Sequence, residues 1–163
     1  MNHSGKIALG GVLAALAVVV MCLGGMIPLA TYICPILCML LQNTVLQKCG
    51  GRVAWAWFFA VSILSLLLSP EKEGAAVFLF LGYYPMIKPW LDRRKGSLLW
   101  KLLFFNAVIF VLYGLLISVI GAAEIVSSFA EMGKWMAAAA AGMGNLTFFL
   151  VDILLSRMKG MLQ

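Results

Sequence analysis

The stretch AAVFLFLGYYPMIKPWLDRRK, Ala75 to Lys95, decides how this chain is to be read. Its first seven residues carry no charge. Two tyrosines follow, then a lysine set between Pro85 and Pro89, and then DRRK. In a water-soluble protein this would be an exposed basic loop. The rest of the chain excludes that setting. Of 163 residues, 64% are hydrophobic and 11% charged, against about 25% charged in soluble domains. The mean hydropathy is +1.05. Too few polar groups exist to cover a water-facing surface, so the composition is that of an integral membrane protein. The length suits one bundle over residues 1–163, and no stretch is polar or long enough to serve as a linker.

Crossing the hydrocarbon as a helix takes about 20 apolar residues, within a range of about 17–25. Six runs meet or approach that length, at 7–27, 29–47, 53–69, 75–91, 102–121 and 136–155. The expected fold is therefore all-α, a six-helix transmembrane bundle. The first run is longer than a signal-peptide core and no A-x-A cleavage pattern follows it, so it is expected to stay as the first helix. Lys6, Lys48, Arg52, Arg93, Arg94, Lys95, Lys101, Arg157 and Lys159 fall on one side of such a bundle; the other side holds only Lys72 and Lys134. That bias predicts a multi-pass protein of the plasma membrane with both termini cytoplasmic. Glu71, Glu73, Glu124 and Glu131 then lie outside. The formal charge of +6 sets topology on this reading and does not mark nucleic-acid binding.

Orientation assigns a depth to each polar residue. The fourth helix runs inward, which places Lys88 near its cytoplasmic end, where a lysine snorkels at modest cost. DRRK becomes the interfacial anchor. Pro85 and Pro89 free the carbonyls of Leu81 and Pro85 and predict a kinked inner end. Gln42, Asn43, Gln47, Lys88, Asn106 and Asp152 share an inner polar level. Within the spans Lys88 is the one base and Asp152 the one acid, so a Lys88–Asp152 pair linking the fourth and sixth helices is expected; the alternative is that each snorkels separately. Nearer the middle and outside lie Tyr32, Tyr83, Tyr84, Tyr113 and Asn145, with Trp135 beyond them. These are candidates for ligand contact, or for ordinary packing and interhelical hydrogen bonds. The outer connection 122–135 has apolar residues at helical spacing and reads as a short amphipathic segment.

Other signals narrow the chemistry. Gly10 and Ala14, and Gly11 and Ala15, have the small-xxx-small spacing that lets helices approach closely in lipid. No phosphate-binding G-x-x-x-x-G-K-[ST] loop occurs, no histidine lies in a span, and no serine has an evident base, so an enzyme is not expected. Cys34 and Cys38 sit one helical turn apart. A single histidine and no second close cysteine pair leave a tetrahedral metal site incomplete, and packed thiols are the expectation. No cofactor is implied.

The size, the six runs, the inward termini and the opening GKIALGGVLAALAVVVM together resemble the S components of energy-coupling-factor transporters. The resemblance implies that Gly10, Gly11, Ala14 and Ala15 dock a transmembrane T component, with two ATPase subunits supplying energy. It implies a vitamin, related micronutrient or metal ion bound from outside by the outer halves of the later helices. Tyr32, Tyr83, Tyr84, Tyr113, Trp135 and Asn145 would suit a flat, largely apolar molecule. The chain is also similar in size and span pattern to the rod-shape-determining membrane proteins, which implies a scaffold without a ligand cavity. An S component needs space in its outer half; a scaffold is packed solid there.

Overall fold

The computed structural model describes residues 3–24, 30–70, 72–120 and 134–161. Their regular structure is all helical: α1 His3–Gly24, α2 Ala30–Cys49, α3 Gly51–Leu68, α4 Lys72–Leu81, α5 Tyr84–Asp92, α6 Ser97–Ile120 and α7 Lys134–Met161. Taking α4 and α5 as one interrupted helix, six helices occupy the six apolar runs. Among the described residues three stretches, Ser4–Gly24, Gly51–Leu68 and Ser97–Leu115, are long and apolar enough to cross a membrane. Gln42, Asn43, Gln47 and Lys48 dilute α2, and α4 and α5 have only 10 and 9 residues. Large apolar side chains such as Val12, Leu67, Leu99 and Phe110 face outward. A water-facing surface so rich in apolar groups would aggregate, whereas lipid accommodates it. The fold is that of a multi-pass helical membrane protein.

The fourth run departs from the expected single helix with a kinked end. It stops at Leu81 and restarts at Tyr84. Pro85 sits in the first turn of α5, where its missing donor would be unpaired in any residue. Gly82 makes the break tight. Its N–H donates to the Phe78 carbonyl at 2.6 Å, and a Cβ there would lie 2.5 Å from that oxygen and 2.8 Å from the Phe78 ring. Two other turns use glycine for its backbone freedom: Gly50 at φ 93° joins α2 to α3, and Gly96 at φ 76° leads into α6.

The antiparallel course gathers the basic residues at one end of the bundle, here termed the basic end. Cys49 Sγ, at the foot of α2, donates to the Lys6 carbonyl of α1 at 3.3 Å. At the opposite end Ser69 Oγ donates to the Met21 carbonyl at 3.1 Å, tying α3 to α1. The helices α1 to α4 pack on one another, and α7 rests on α2 and α6. Aromatic rings then carry the core sideways: Phe58 meets Tyr83, Tyr83 meets Phe104, Phe104 stacks on Tyr84, and Tyr84 meets Phe148 at 4.8 Å. Edge and offset ring contacts of this kind add packing energy beyond burial. They hold α5, α6 and α7 around the interruption. Of the expected amphipathic segment at 122–135, residues 122–133 lie outside the described residues.

Candidate functional site

Residues singled out in the sequence gather at four places. The first is a buried ionic network near the basic end. Lys88 of α5 and Asp152 of α7 form a salt bridge, and Lys88 Nζ also reaches the Asp152 carbonyl at 3.1 Å. One turn before Lys88 on the same face of α5, Tyr84 donates its hydroxyl to Asp152 Oδ1 at 2.6 Å. Lys101 of α6 reaches Asp152 Oδ2 at 2.9 Å and also pairs with Asp92 at the end of α5. Two lysines therefore face two carboxylates, and the formal charges cancel. Lys88, Lys101 and Asp152 are each 8% exposed. Groups this dry persist as ions only when paired and hydrogen-bonded. Both Asp152 oxygens are occupied, which suits a lock between helices and leaves little to offer a ligand. Lys101 and Asp92 did not stand out in the sequence, because they flank the basic turn and read as interface anchors.

Beside this network lies a partly satisfied amide layer. Gln42 is fully buried; its Nε2 donates to the Ala54 carbonyl at 3.0 Å and contacts Met86 Sδ at 3.4 Å. Gln42 Oε1, Asn43 Nδ2 and both polar atoms of the Gln47 amide have no hydrogen-bond partner among the described residues. Asn106 stands apart from this level and instead exchanges two amide hydrogen bonds with Asn145 of α7, at 2.9 and 3.3 Å. Each Nδ2 also donates to the carbonyl four residues earlier, Leu102 and Ala141 respectively.

The third place is at the opposite end, where α2, α4 and α6 converge. Tyr32 donates to Glu73 Oε1 at 3.0 Å, and Tyr113 donates to the same oxygen at 3.2 Å. The two hydroxyls are 3.5 Å apart. Tyr32 is 51% exposed, whereas Glu73 and Tyr113 are half-buried. Glu73 lies in the first turn of α4, a favourable position for an acidic side chain. Sequence reading missed it as a site residue. Nothing in the chain links it to tyrosines 41 and 40 positions away; only its outer-side placement hinted at it.

The six tyrosine, tryptophan and asparagine candidates therefore do not form one pocket. Tyr32 and Tyr113 meet at Glu73, Tyr84 serves the ionic network, and Tyr83 packs between Phe58 and Phe104. Asn145 pairs with Asn106, and Trp135 is 91% exposed.

The fourth place is an open apolar groove of about 450 Å³ between α1 and α3, toward the basic end. Gly10, Gly11, Ala14, Ala56 and Ala60 form its small-residue floor, with Arg52 and Trp57 on its wall. Gly10 is buried, and a Cβ there would lie 3.5 Å from Val53 Cγ1. Gly11 is exposed with open space around it, and Ala15 is also exposed. No family model, curated protein or solved structure matches this chain.

Proposed function

We propose that the chain is the substrate-capturing membrane subunit of a micronutrient uptake transporter, similar to an S component and energised by separate ATPase subunits. The observation that carries this reading is the Tyr32–Glu73–Tyr113 cluster, a partly exposed polar group at the end of the bundle opposite the basic residues. The positive-inside bias makes that end extracellular. Two of the tyrosines expected to touch a ligand meet there on a third helix's carboxylate. The α1–α3 groove supports the reading separately. Its glycines and alanines would admit the backbone of a neighbouring helix, as docking of a T component requires.

A second reading, a membrane scaffold, draws on the basic end. There Arg94 lies between Trp90 and Trp100, 4.2 and 5.0 Å from their ring centres. The adjoining ion network braces this face. A stiff basic surface would suit a protein that holds cytoplasmic partners.

Purification in mild detergent, with mass spectrometry of co-eluting proteins and small molecules, separates the two. A T component with ATPases, or a stoichiometric small molecule, supports capture for transport. Recovery of cell-envelope synthesis proteins without a ligand supports the scaffold and rejects the transporter.

A further inference from the structure

We infer that the Tyr32–Glu73–Tyr113 cluster recognises a small molecule through a protonated amine. The inference deepens the substrate-capture reading and takes its physiological meaning from it. The first ground is uncompensated charge. Among the described residues no cation pairs with Glu73, although a lysine is its neighbour in sequence. Lys72 instead turns to the end of α3, donating to the carbonyls of Leu66 at 2.7 Å and Ser69 at 2.9 Å. Those carbonyls lie at the C-terminal end of α3, and a cation there is held by hydrogen bonds and by the helix dipole together. Lys72 is thus engaged elsewhere, and the carboxylate beside it has no cationic partner among the described residues.

The second ground is how the carboxylate is held. Both phenol hydroxyls converge on Oε1. Oε2 makes no hydrogen bond among the described residues and remains an acceptor. A carboxylate steadied on one oxygen and open on the other is suited to an N⁺–H donor, whose charge-assisted hydrogen bond is stronger than that of a neutral donor. The tyrosine rings add faces over which a cation is attracted. An anionic group would meet the same uncompensated charge and be repelled.

The donor set also separates an amine from a bare metal ion. Calcium takes six to eight oxygens, several of them from carboxylates. Here one carboxylate and two phenols converge, and no group of three or more histidine, cysteine or acidic side chains occurs among the described residues. The four oxygens of this set fall short of a hard cation's shell, but they suffice for one ammonium group.

The test uses the purified full-length protein in detergent, with benzylamine, benzyl alcohol and benzoate as probes of one shape and different charge, titrated by calorimetry. Benzylamine is expected to bind about tenfold more tightly than benzyl alcohol, the sum of an exposed ion pair and a cation–ring contact. Benzoate is expected to be weakest. Glu73→Gln should abolish the preference for the amine. Tyr32→Phe, a mild change at a half-exposed ring, should weaken amine binding several-fold and keep the order of the probes. Size-exclusion profiles and unfolding midpoints matching the unsubstituted protein exclude misfolding. The inference is overturned if the three probes bind alike, if none binds, or if Glu73→Gln keeps the preference. Its fate is separable from that of the transporter reading. Co-purified T component with a benzoate preference sinks the amine site alone; an amine preference in a protein held only by envelope-synthesis partners sinks the transporter alone.

Discussion

The phenol of Tyr84 and the carboxylate of Asp152, 68 residues apart in the chain, share a buried 2.6 Å hydrogen bond across the α5–α7 interface. The ring that delivers this bond is itself clamped between Phe104 and Phe148. Packing and polarity are therefore separable here. Tyr84→Phe keeps the ring and removes only the donor. It is expected to lower stability by about 1–2 kcal/mol, between the cost of a lost bond to a charged group and the smaller values seen in membranes. Unfolding midpoints in a denaturing-detergent titration check this. An unchanged midpoint would show that Asp152 does not depend on the phenol.

Removing one member of a buried ionic network differs from removing a pair. Asp152→Ala strands Lys88 and Lys101 without their shared carboxylate, although Lys101 keeps Asp92. A loss of about 3–5 kcal/mol is expected, because the uncompensated charge stays buried. The double variant Lys88→Met with Asp152→Leu removes both charges and should be more stable than Asp152→Ala alone. Simple charge reversal should not rescue, since a lysine at 152 would face Lys101. A double variant less stable than Asp152→Ala would count against the lock.

The reciprocal Asn106–Asn145 pair makes a similar argument without charge. Either residue changed to leucine leaves the other amide short of its cross-helix partner, at an expected cost of about 1 kcal/mol. The double leucine variant should cost less than the two single changes added together. Additive losses in a double-mutant cycle would show that the two amides do not couple.

Much of this architecture can be read from the chain because lipid imposes few solutions. Apolar runs of helical length predict helices, and the helices of the structure occupy those runs. Lys88 and Asp152 stand out as lone charges inside apolar runs, which is enough to expect them to face each other. Lys101 and Asp92 are hidden by their surroundings, since a charge beside DRRK looks like a headgroup anchor. Glu73 is hidden for the opposite reason. An acidic residue in an outer turn needs no partner, so nothing local points to Tyr32 or Tyr113. The exact point of the interruption at Gly82 is not marked by the residue pattern either. Two prolines announce irregular backbone, but where the helix stops depends on how closely residue 82 must approach Phe78.

That approach gives a direct test. Gly82→Ala would place a methyl group 2.5 Å from the Phe78 carbonyl oxygen, closer than any relaxed contact. Alanine is the better helix former, so in open surroundings the change would stabilise. Here the clash must move α4 against α5, and a loss of about 1–3 kcal/mol is expected, as for other overpacked sites. Equal or higher stability would mean that the break tolerates a side chain and that Pro85 alone sets it.

The groove between α1 and α3 allows fold and docking to be told apart by two neighbouring glycines. Gly10 faces Val53 of α3, and a side chain beyond Cβ would wedge the two helices apart. Gly11 lines the same groove but has nothing within 4 Å of an added Cβ. Gly10→Leu is therefore expected to lower the unfolding midpoint. Gly11→Leu should leave the midpoint within about 0.5 kcal/mol of the unsubstituted protein, as is usual for surface changes. It would, however, fill the floor on which a partner helix must seat, because small residues there are what permit backbone approach in lipid. Under the transporter reading, Gly11→Leu should sharply reduce recovery of the T component in a mild-detergent purification while the protein still binds its small molecule. Full recovery of the T component with leucine at this position would place the docking face elsewhere on the bundle.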